Sequence, residues 1–299
     1  MTGYLVRRVG QMGLTLFLII TLTFFLVEAQ PGDYASFYVL NPDLPPDVKE
    51  KIRAAFGLDK PLWQQYLIHL KNTFTGNFGV SFGHFPRPVM DVLAERIPRT
   101  LVLFLTATAA SFYLGFFLGK AIAWRRGGLF EYVATISGAT LFTAFTPAFA
   151  LMMIWIFAFR LDWFPLWGNS CIGGLALDIL KHMVLPVATL TLISFAGTML
   201  LTRNSMLETI REDYVMAARA KGLPERQVRD RHAARNAMLP VVTSLVYSLI
   251  FAIDGSVIIE GVFSWPGTGM TLLSAVRSED LPLVMGAMLF IGCCRCWLT

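Results

Sequence analysis

Long uncharged apolar stretches constrain this chain more than any other feature of its sequence. Five are near or above the roughly 18 residues that a helix needs to cross a bilayer. They are Val9–Val27, Leu101–Gly119, Tyr132–Phe159, Met183–Thr202 and Asn236–Ile253, and a sixth, Leu281–Cys294, is shorter. Backbone groups in hydrocarbon must bond internally, and these stretches lack the alternation of barrel strands, so each is predicted to be helical. We expect an all-α polytopic membrane protein with six transmembrane helices.

Composition agrees with a protein whose main partner is the lipid bilayer. Charged residues make up only 15% of the chain, against about a quarter in soluble domains. The net charge of +5 is more typical of cytoplasmic loops in a membrane protein than of nucleic-acid binding. The cysteines, at 171, 293, 294 and 296, and the four histidines show neither a disulfide framework nor metal-ligand spacing. We expect no nucleic acid, metal or cofactor.

The basic residues predict the orientation. Arg7 and Arg8 precede the first apolar stretch, Lys120 and Arg125 follow the second, and a charged segment, residues 203–235, separates the fourth from the fifth. Cytoplasmic loops are enriched in Lys and Arg, so the amino terminus and the charged segment are predicted to be cytoplasmic. Three regions follow: a retained transmembrane helix (1–29), an extracytoplasmic insert (30–98) and a transmembrane core (99–299).

Two helices are predicted inside the extracytoplasmic insert. Pro45 and Pro46 open an amphipathic stretch, Asp47–Phe56, and Gly57 is placed to end it. Pro61–Phe74 places Trp63, Tyr66, Leu67 and Leu70 on one face at helical spacing.

The charged segment is predicted to form two helices separated by a glycine. Leu207–Lys221 is the first predicted helix, Gly222 supplies a left-handed C-cap, and Pro224 suits the first turn of the second helix. Ala217, Ala218 and Ala220 make much of the first helix small, which permits close approach of another surface. Either an amphipathic helix lying on lipid or a docking element for a cytoplasmic protein fits this pattern.

The order of residues in this segment resembles a known family. YVMAARAKGLPERQVRDRHAARNAMLP, residues 214–240, is similar to the cytoplasmic coupling loop of ABC importer permeases, specifically the dipeptide/oligopeptide permease B group, with Met216 where the general loop has glutamate. FGLDKPLWQQY, GNFGVS, EGVFSWPGTG and DLPLVMG follow the family's order along nearly the whole chain. The resemblance implies that the coupling-loop residues are Tyr214, Ala217, Ala218, Lys221, Gly222, His232 and Arg235.

The resemblance also implies a six-helix type I ABC importer permease of the bacterial inner membrane. Its partners would be a second permease subunit, two ABC ATPases and an extracytoplasmic substrate-binding protein. The sequence has no G-x-x-x-x-G-K-[ST] phosphate loop, so any ATP must be hydrolysed by another chain and this one is not expected to be an enzyme. Peptides are the implied cargo, with nickel or glutathione as alternatives that nothing in the sequence separates. A passive channel is the alternative from another class.

Three further features of the sequence give separate expectations. Asp254 and Glu260, in and after the fifth apolar stretch, are candidates for the outer mouth of a pathway, or for acids that reach interfacial water. Gly79–Gly83 fits the G-x-S-x-G pattern of a serine hydrolase with Ser81 as nucleophile, but lacks its sheet context. After Gly292 the sequence changes abruptly to CCRCWLT, which a truncation or a reading-frame error near Gly292 would explain.

Overall fold

A computed structural model describes residues 2–28, 60–81, 83–125, 127–165, 176–254, 256–278 and 280–298. In this part of the chain β-structure is limited to an isolated antiparallel bridge between Val80 and Pro88. The described helices are, in chain order, α1 (Thr2–Glu28), α2 (Leu62–Phe74), α3 (Val89–Trp124), α4 (Leu129–Thr143), α5 (Thr146–Met153, continued by the π-helical turn Ile154–Arg160), α6 (Ala176–Thr209), α7 (Asp213–Ala220), α8 (Glu225–Gln227, continued by the π-helical turn Val228–Ala233), α9 (Ala234–Asp254), α10 (Val257–Val262), α11 (Thr268–Arg277) and α12 (Leu281–Leu298). The chain divides into two compact units, Met1–Arg99 with Gly267–Thr299, and Thr100–Pro266.

In the first unit, α1 packs against α2 and α12. The hydroxyl groups of Thr21 and Tyr66 lie 2.8 Å apart, and this contact ties α2 to α1. A β-carbon at Gly286 of α12 would lie 2.6 Å from Cγ1 of Val89. The first turn of α3 therefore packs closely on α12, and the glycine makes that approach possible.

In the second unit, α6 lies among α4, α5 and α9. Its buried hydroxyls bond within the helix: Thr189 donates to the carbonyl of Leu185 at 2.8 Å, and Thr202 donates to that of Thr198 at 2.7 Å. Polar side chains in hydrocarbon are tolerated when they are satisfied in this way.

Three described helices are long and apolar enough to cross a membrane: Val6–Leu26, Val89–Trp124 and Ile179–Thr209. The bent pair Leu129–Thr143 and Thr146–Arg160 makes a fourth if it is counted as one span. The fifth and sixth predicted spans correspond to α9 and α12. The prediction that the apolar stretches are helical is therefore confirmed, whereas six crossings stay a prediction.

The prediction of one continuous helix is wrong for one of the apolar stretches. Tyr132–Phe159 is broken into α4 and α5, which are bent by 105°. The break falls at Ala144 and Phe145, whose backbones are extended, and Pro147 lies in the first turn of α5. A proline at that place suits a new helix start but cannot continue the preceding hydrogen-bond ladder.

In the predicted insert, the second helix is confirmed as α2, Leu62–Phe74. Tyr66 faces α1, whereas Trp63 and Leu67 are exposed. The predicted helix Asp47–Phe56 lies outside the described residues.

Candidate functional site

The charged segment begins with a turn that the sequence reading missed. The predicted helix Leu207–Lys221 is wrong because α6 ends at Thr209 and a new helix, α7, starts at Asp213. Glu212 has an extended backbone (φ −70°, ψ 143°) immediately before α7. This conformation interrupts the helix, so α7 is a separate element of two turns.

One face of α7 is anchored in the second unit. Val215 and Ala218, three residues apart on one side of the helix, are buried. They belong to a cluster with small and apolar residues of four other elements, namely Ala123, Met206, Val228, Ala233, Ala234 and Ala237. Ala218 is only 6% exposed, so its small side chain serves internal packing and does not contribute to the small outer surface predicted for this helix.

The opposite side of α7 is exposed. Tyr214 is 39% exposed and Met216 56% exposed, and Ala217, Ala220 and Lys221 are also exposed. We call these five residues the α7 outer face. The face combines one aromatic ring, one flexible apolar side chain, two methyl groups and one ammonium group. Tyr and Met are enriched at protein interfaces, and the small alanines permit close approach of another surface.

Gly222 and an ion pair form the corner after α7. Gly222 has φ +74° and donates from its amide to the carbonyl of Arg219 at 2.9 Å, so the predicted left-handed C-cap is confirmed. Arg219 Nε lies 3.1 Å from Glu225 Oε1 at the start of α8. Pro224 has an extended backbone and precedes α8 as its N-cap, one position earlier than predicted.

Asp230 links the π-helical turn after α8 to α3. Its carboxylate accepts two hydrogen bonds from Arg229, at 2.9 and 3.0 Å, and lies 3.1 Å from the ammonium nitrogen of Lys120. The hydrogen bonds from Arg229 are the main cause that lowers the pKa of Asp230 to about 2, and Lys120 contributes to the lowering. The carboxylate is therefore ionised throughout the physiological pH range.

His232 and Arg235 lie on an open groove and not on the α7 outer face. The groove has a volume of about 780 Å³ and runs between the cytoplasmic end predicted for α3 and the start of α9. Of the seven residues predicted for the coupling loop, three thus lie on the outer face (Tyr214, Ala217 and Lys221), Gly222 sets the corner, Ala218 is internal, and His232 and Arg235 line the groove.

Two ion pairs in this region escaped sequence analysis. Arg203 in α6 pairs with Glu131 in α4, and Glu131 also accepts a hydrogen bond from the amide of Gly127 at 2.8 Å. Lys120 pairs with Asp230 as described above. The sequence shows these charged residues at or near the ends of apolar stretches. It does not show which of them pair, because the partners are distant in sequence.

The two acidic residues predicted for an outer pathway have different positions. Glu260 lies in α10, is completely buried and accepts a hydrogen bond from the hydroxyl of Thr100 at 2.8 Å. In this conformation its carboxylate is inside the second unit and is not exposed to a passing ligand. Asp254 is the last residue of α9, and its side chain lies outside the described part of the chain.

The geometry around Ser81 differs from that of a serine nucleophile. The hydroxyl of Ser81 is completely buried and donates to Asp280, with Nδ1 of His84 at 3.3 Å. The same carboxylate accepts hydrogen bonds from the amides of Gly83, at 2.9 Å, and Leu283, at 3.3 Å. A nucleophilic serine gives its proton to a histidine and must meet substrate, whereas Ser81 holds a loop to the start of α12.

Apolar helices of membrane-spanning length, joined by a charged segment with an anchored and partly exposed helix, define a multi-pass helical membrane protein. Comparison with known families specifies the class further. Residues 102–295 match the family described as binding-protein-dependent transport system inner membrane component. Residues 1–104 match the N-terminal region described for membrane components of such systems.

Individual relatives cover nearly the full chain. The dipeptide transport system permease protein DppB of Lactococcus lactis is 36% identical over 292 residues, which are 95% of this chain and 90% of that protein. A putative peptide permease protein of Brucella suis is 39% identical over 94% of this chain and 90% of its own length. The oligopeptide transport system permease protein OppB of Haemophilus influenzae is 33% identical over 98% and 92%, respectively.

The chain belongs to the family of binding-protein-dependent transport system inner membrane components. It is a transport permease of the bacterial inner membrane and is not itself an enzyme. This membership confirms the resemblance inferred from residues 214–240 and excludes the serine hydrolase interpretation of Ser81.

Proposed function

We propose that this chain is one permease subunit of an ATP-driven importer that carries peptides into the bacterial cytoplasm. Membership of the family supports a role in transport that depends on a binding protein. The relatives named as dipeptide and oligopeptide permeases support peptides as the cargo. The absence of a phosphate-loop motif from the sequence supports hydrolysis of ATP by separate ATPase subunits.

The α7 outer face is the proposed docking surface for one ATPase. The main support for this proposal is that α7 is exposed on one side and buried on the other. Val215 and Ala218 hold α7 from behind, so force applied to the exposed side reaches the rest of the unit. The cluster behind α7 includes Ala123 of α3, Met206 of α6 and Ala237 of α9. A single docking contact is thereby connected to three of the helices that form the transmembrane core.

The proposed mechanism is alternating access. Closure of two ATPases on binding ATP would displace α7 and favour an outward-open arrangement of the permease, and hydrolysis would return it. A bound partner shifts the equilibrium between the two arrangements of the permease only if it contacts them differently. In this proposal the ATPases make those different contacts at α7. A second permease subunit would complete the pathway, and an extracytoplasmic binding protein would deliver the peptide.

The proposal requires a cytoplasmic amino terminus, as the distribution of Arg and Lys predicts. Single cysteines in a background with the native cysteines replaced test this orientation. A membrane-impermeant maleimide applied to intact cells should label Lys71→Cys and spare Ala220→Cys. The opposite labelling pattern would exclude a cytoplasmic α7.

Gly222 provides a test of coupling. A β-carbon at Gly222 meets no atom within 4 Å, so a substitution acts through the backbone, whose φ of +74° is unfavourable for β-branched side chains. Gly222→Val should reduce ATP-dependent uptake of a labelled dipeptide about 5- to 30-fold, since the left-handed conformation costs roughly 1–2 kcal/mol. Gly222→Asn should retain most uptake, because asparagine tolerates this conformation.

Gly127→Val is the matched control. Gly127 has φ +75°, and a β-carbon there also meets no atom within 4 Å, but it lies in the turn before α4 and outside the charged segment, residues 203–235. Uptake should fall much less in this variant than in Gly222→Val at equal amounts of protein in the membrane. Normal uptake by Gly222→Val would contradict docking through this corner.

A further inference from the structure

The groove beside the π-helical turn is lined by charged side chains, which we call its polar end, and by Phe116 and Met238, one helical turn away along α3 and α9, which we call its apolar end. Lys120, Asp230, Arg231 and Arg235 contribute charged groups, whereas Phe116 and Met238 contribute apolar surface. All of these residues lie in the second unit. A groove of this composition fits a ligand that is itself charged at one end and apolar at the other.

The polar end carries surplus positive charge. Asp230 is the one carboxylate among the lining residues, and it is already paired with Arg229 and Lys120. Arg231 and Arg235 are exposed, and among the described residues neither has a carboxylate within ion-pair distance. Two guanidinium groups are therefore available to a ligand, and each can form paired hydrogen bonds with a phosphate.

Exposed apolar surface continues from the groove along α3 and α9. The ring centroid of Phe117 lies 4.8 Å from the ammonium nitrogen of Lys120, and 44% of the Phe117 residue is exposed. One turn beyond Met238 on α9, Val242 is also exposed. Both residues lie in the apolar stretches that begin or end at the groove, so hydrocarbon chains could follow them directly from the polar end.

We propose that this groove binds one anionic phospholipid of the cytoplasmic leaflet, with the phosphate at Arg231 and Arg235 and the acyl chains along Phe117 and Val242. The proposal rests on the cytoplasmic orientation inferred above. Basic pockets beside transmembrane helices on the cytoplasmic side suit anionic headgroups. A free phosphate would satisfy the arginines but would leave the apolar end of the groove exposed to water. Lipid bound there would hold α3 against the π-helical turn, which itself contacts α7.

Native mass spectrometry of the purified, delipidated full chain tests this site. Phosphatidylglycerol and phosphatidylcholine with identical acyl chains are titrated separately, and the bound fractions are compared. Arg231→Gln/Arg235→Gln should weaken phosphatidylglycerol binding about 30-fold, the equivalent of roughly 1 kcal/mol for each arginine near an anionic surface. Arg211→Gln/Arg226→Gln removes the same charge from exposed arginines of the charged segment outside the groove, and should change binding by less than about two-fold.

Selective loss of phosphatidylglycerol from the groove variant, with phosphatidylcholine unchanged, would support the proposal. Equal binding of the two lipids by the unaltered chain, or equal losses in both double variants, would overturn it. So would competition by soluble glycerol phosphate at the affinity of the lipid, which would indicate a phosphate site. If the groove variant keeps its lipid but no longer co-purifies with an ATPase, the groove is a protein interface and the proposal fails. Because lipid binding is measured on the chain alone, failure of the importer proposal would not itself change these results.

Discussion

At the scale of single residues, Thr100 and Glu260 form a buried polar contact that joins distant parts of the second unit's sequence. The Thr100 hydroxyl donates to the Glu260 carboxylate at 2.8 Å, and both residues are almost completely inaccessible. A buried carboxylate is costly unless hydrogen bonds satisfy it. The contact therefore gives Glu260 a structural role in holding α10 against α3.

Thr100→Val keeps the side-chain shape and removes the donor. The variant should be destabilised by roughly 1–3 kcal/mol, because a buried acceptor loses a partner. Thermal unfolding of the detergent-solubilised protein measures the effect. Thr106→Val on the same helix is the control, since among the described residues the Thr106 hydroxyl bonds to carbonyls of its own helix, at 2.7 and 2.9 Å. Equal melting temperatures for the two variants would show that the Thr100 contact contributes little.

The charged segment illustrates what could be predicted from single residues. Gly222 was identifiable as a left-handed cap because few other residues adopt positive φ at a helix end. Ala217 and Ala218 were indistinguishable in sequence, since which of two adjacent alanines is buried depends on the phase of α7, and Val215 sets that phase. The pairing of Lys120 with Asp230 depends on tertiary packing between distant stretches, so no local sequence pattern predicts it.

At the scale of helices, the close crossing of α3 and α6 depends on two glycines four residues apart. A β-carbon at Gly115 would lie 2.7 Å from Cβ of Thr198, and one at Gly119 would lie 2.5 Å from the carbonyl oxygen of Met199. Helices in membranes associate through such small-residue contacts, where the backbones approach closely. The apolar stretches predicted both helices, but they could not predict which faces meet.

Gly119→Ala should destabilise this crossing. Overpacking costs about 1–3 kcal/mol, and improved helix propensity returns at most about 1 kcal/mol, so a lower melting temperature is expected. Gly13→Ala is the control, because Gly13 lies within α1 and a β-carbon there meets no atom within 4 Å. That variant should be neutral or slightly stabilised. A stabilised Gly119→Ala protein would contradict the close approach.

The Asp230 ion pairs give the charged segment a defined pH dependence. The pKa of Asp230 is lowered from 3.8 to about 2 in the folded protein, so its stabilising contribution is complete above about pH 4 and is lost as the pH falls towards 2. Asp230→Asn should remove this acid dependence. At neutral pH it should also speed hydrogen exchange of residues 225–235 about two- to five-fold, since partly exposed pairs contribute at most about 1 kcal/mol.

Glu208→Gln is the matched control for exchange, because Glu208 is an exposed carboxylate near the end of α6 that forms no ion pair among the described contacts. Hydrogen exchange of residues 225–235 in the Glu208→Gln variant should match that of the unaltered chain. Similar acceleration in both variants would mean that overall charge, and not the link from Asp230 to Lys120, stabilises the π-helical turn.

At the scale of the whole molecule, apolar stretches predicted an all-α membrane protein, and family membership establishes a transport permease. Composition did not predict the break between α4 and α5, because Ala144 and Phe145 are as apolar as their neighbours. Pro147 was a local signal for a bend, but prolines are common in membrane helices. In the proposed importer, the charged segment is the part whose function extends beyond the membrane. Its anchored helix α7 has a purpose in the proposed importer only if another protein contacts the α7 outer face.

Gentle purification of the tagged full chain from its native membranes, with mass spectrometry of the proteins that accompany it, tests this central claim most directly. The account predicts a second permease of the same family and an ATPase that carries a phosphate-loop motif. It also predicts that the ATPase is lost when Ala217 on the α7 outer face is replaced by arginine, while the second permease is retained. A stable and abundant chain that purifies without any ATPase would contradict the account and favour a passive channel.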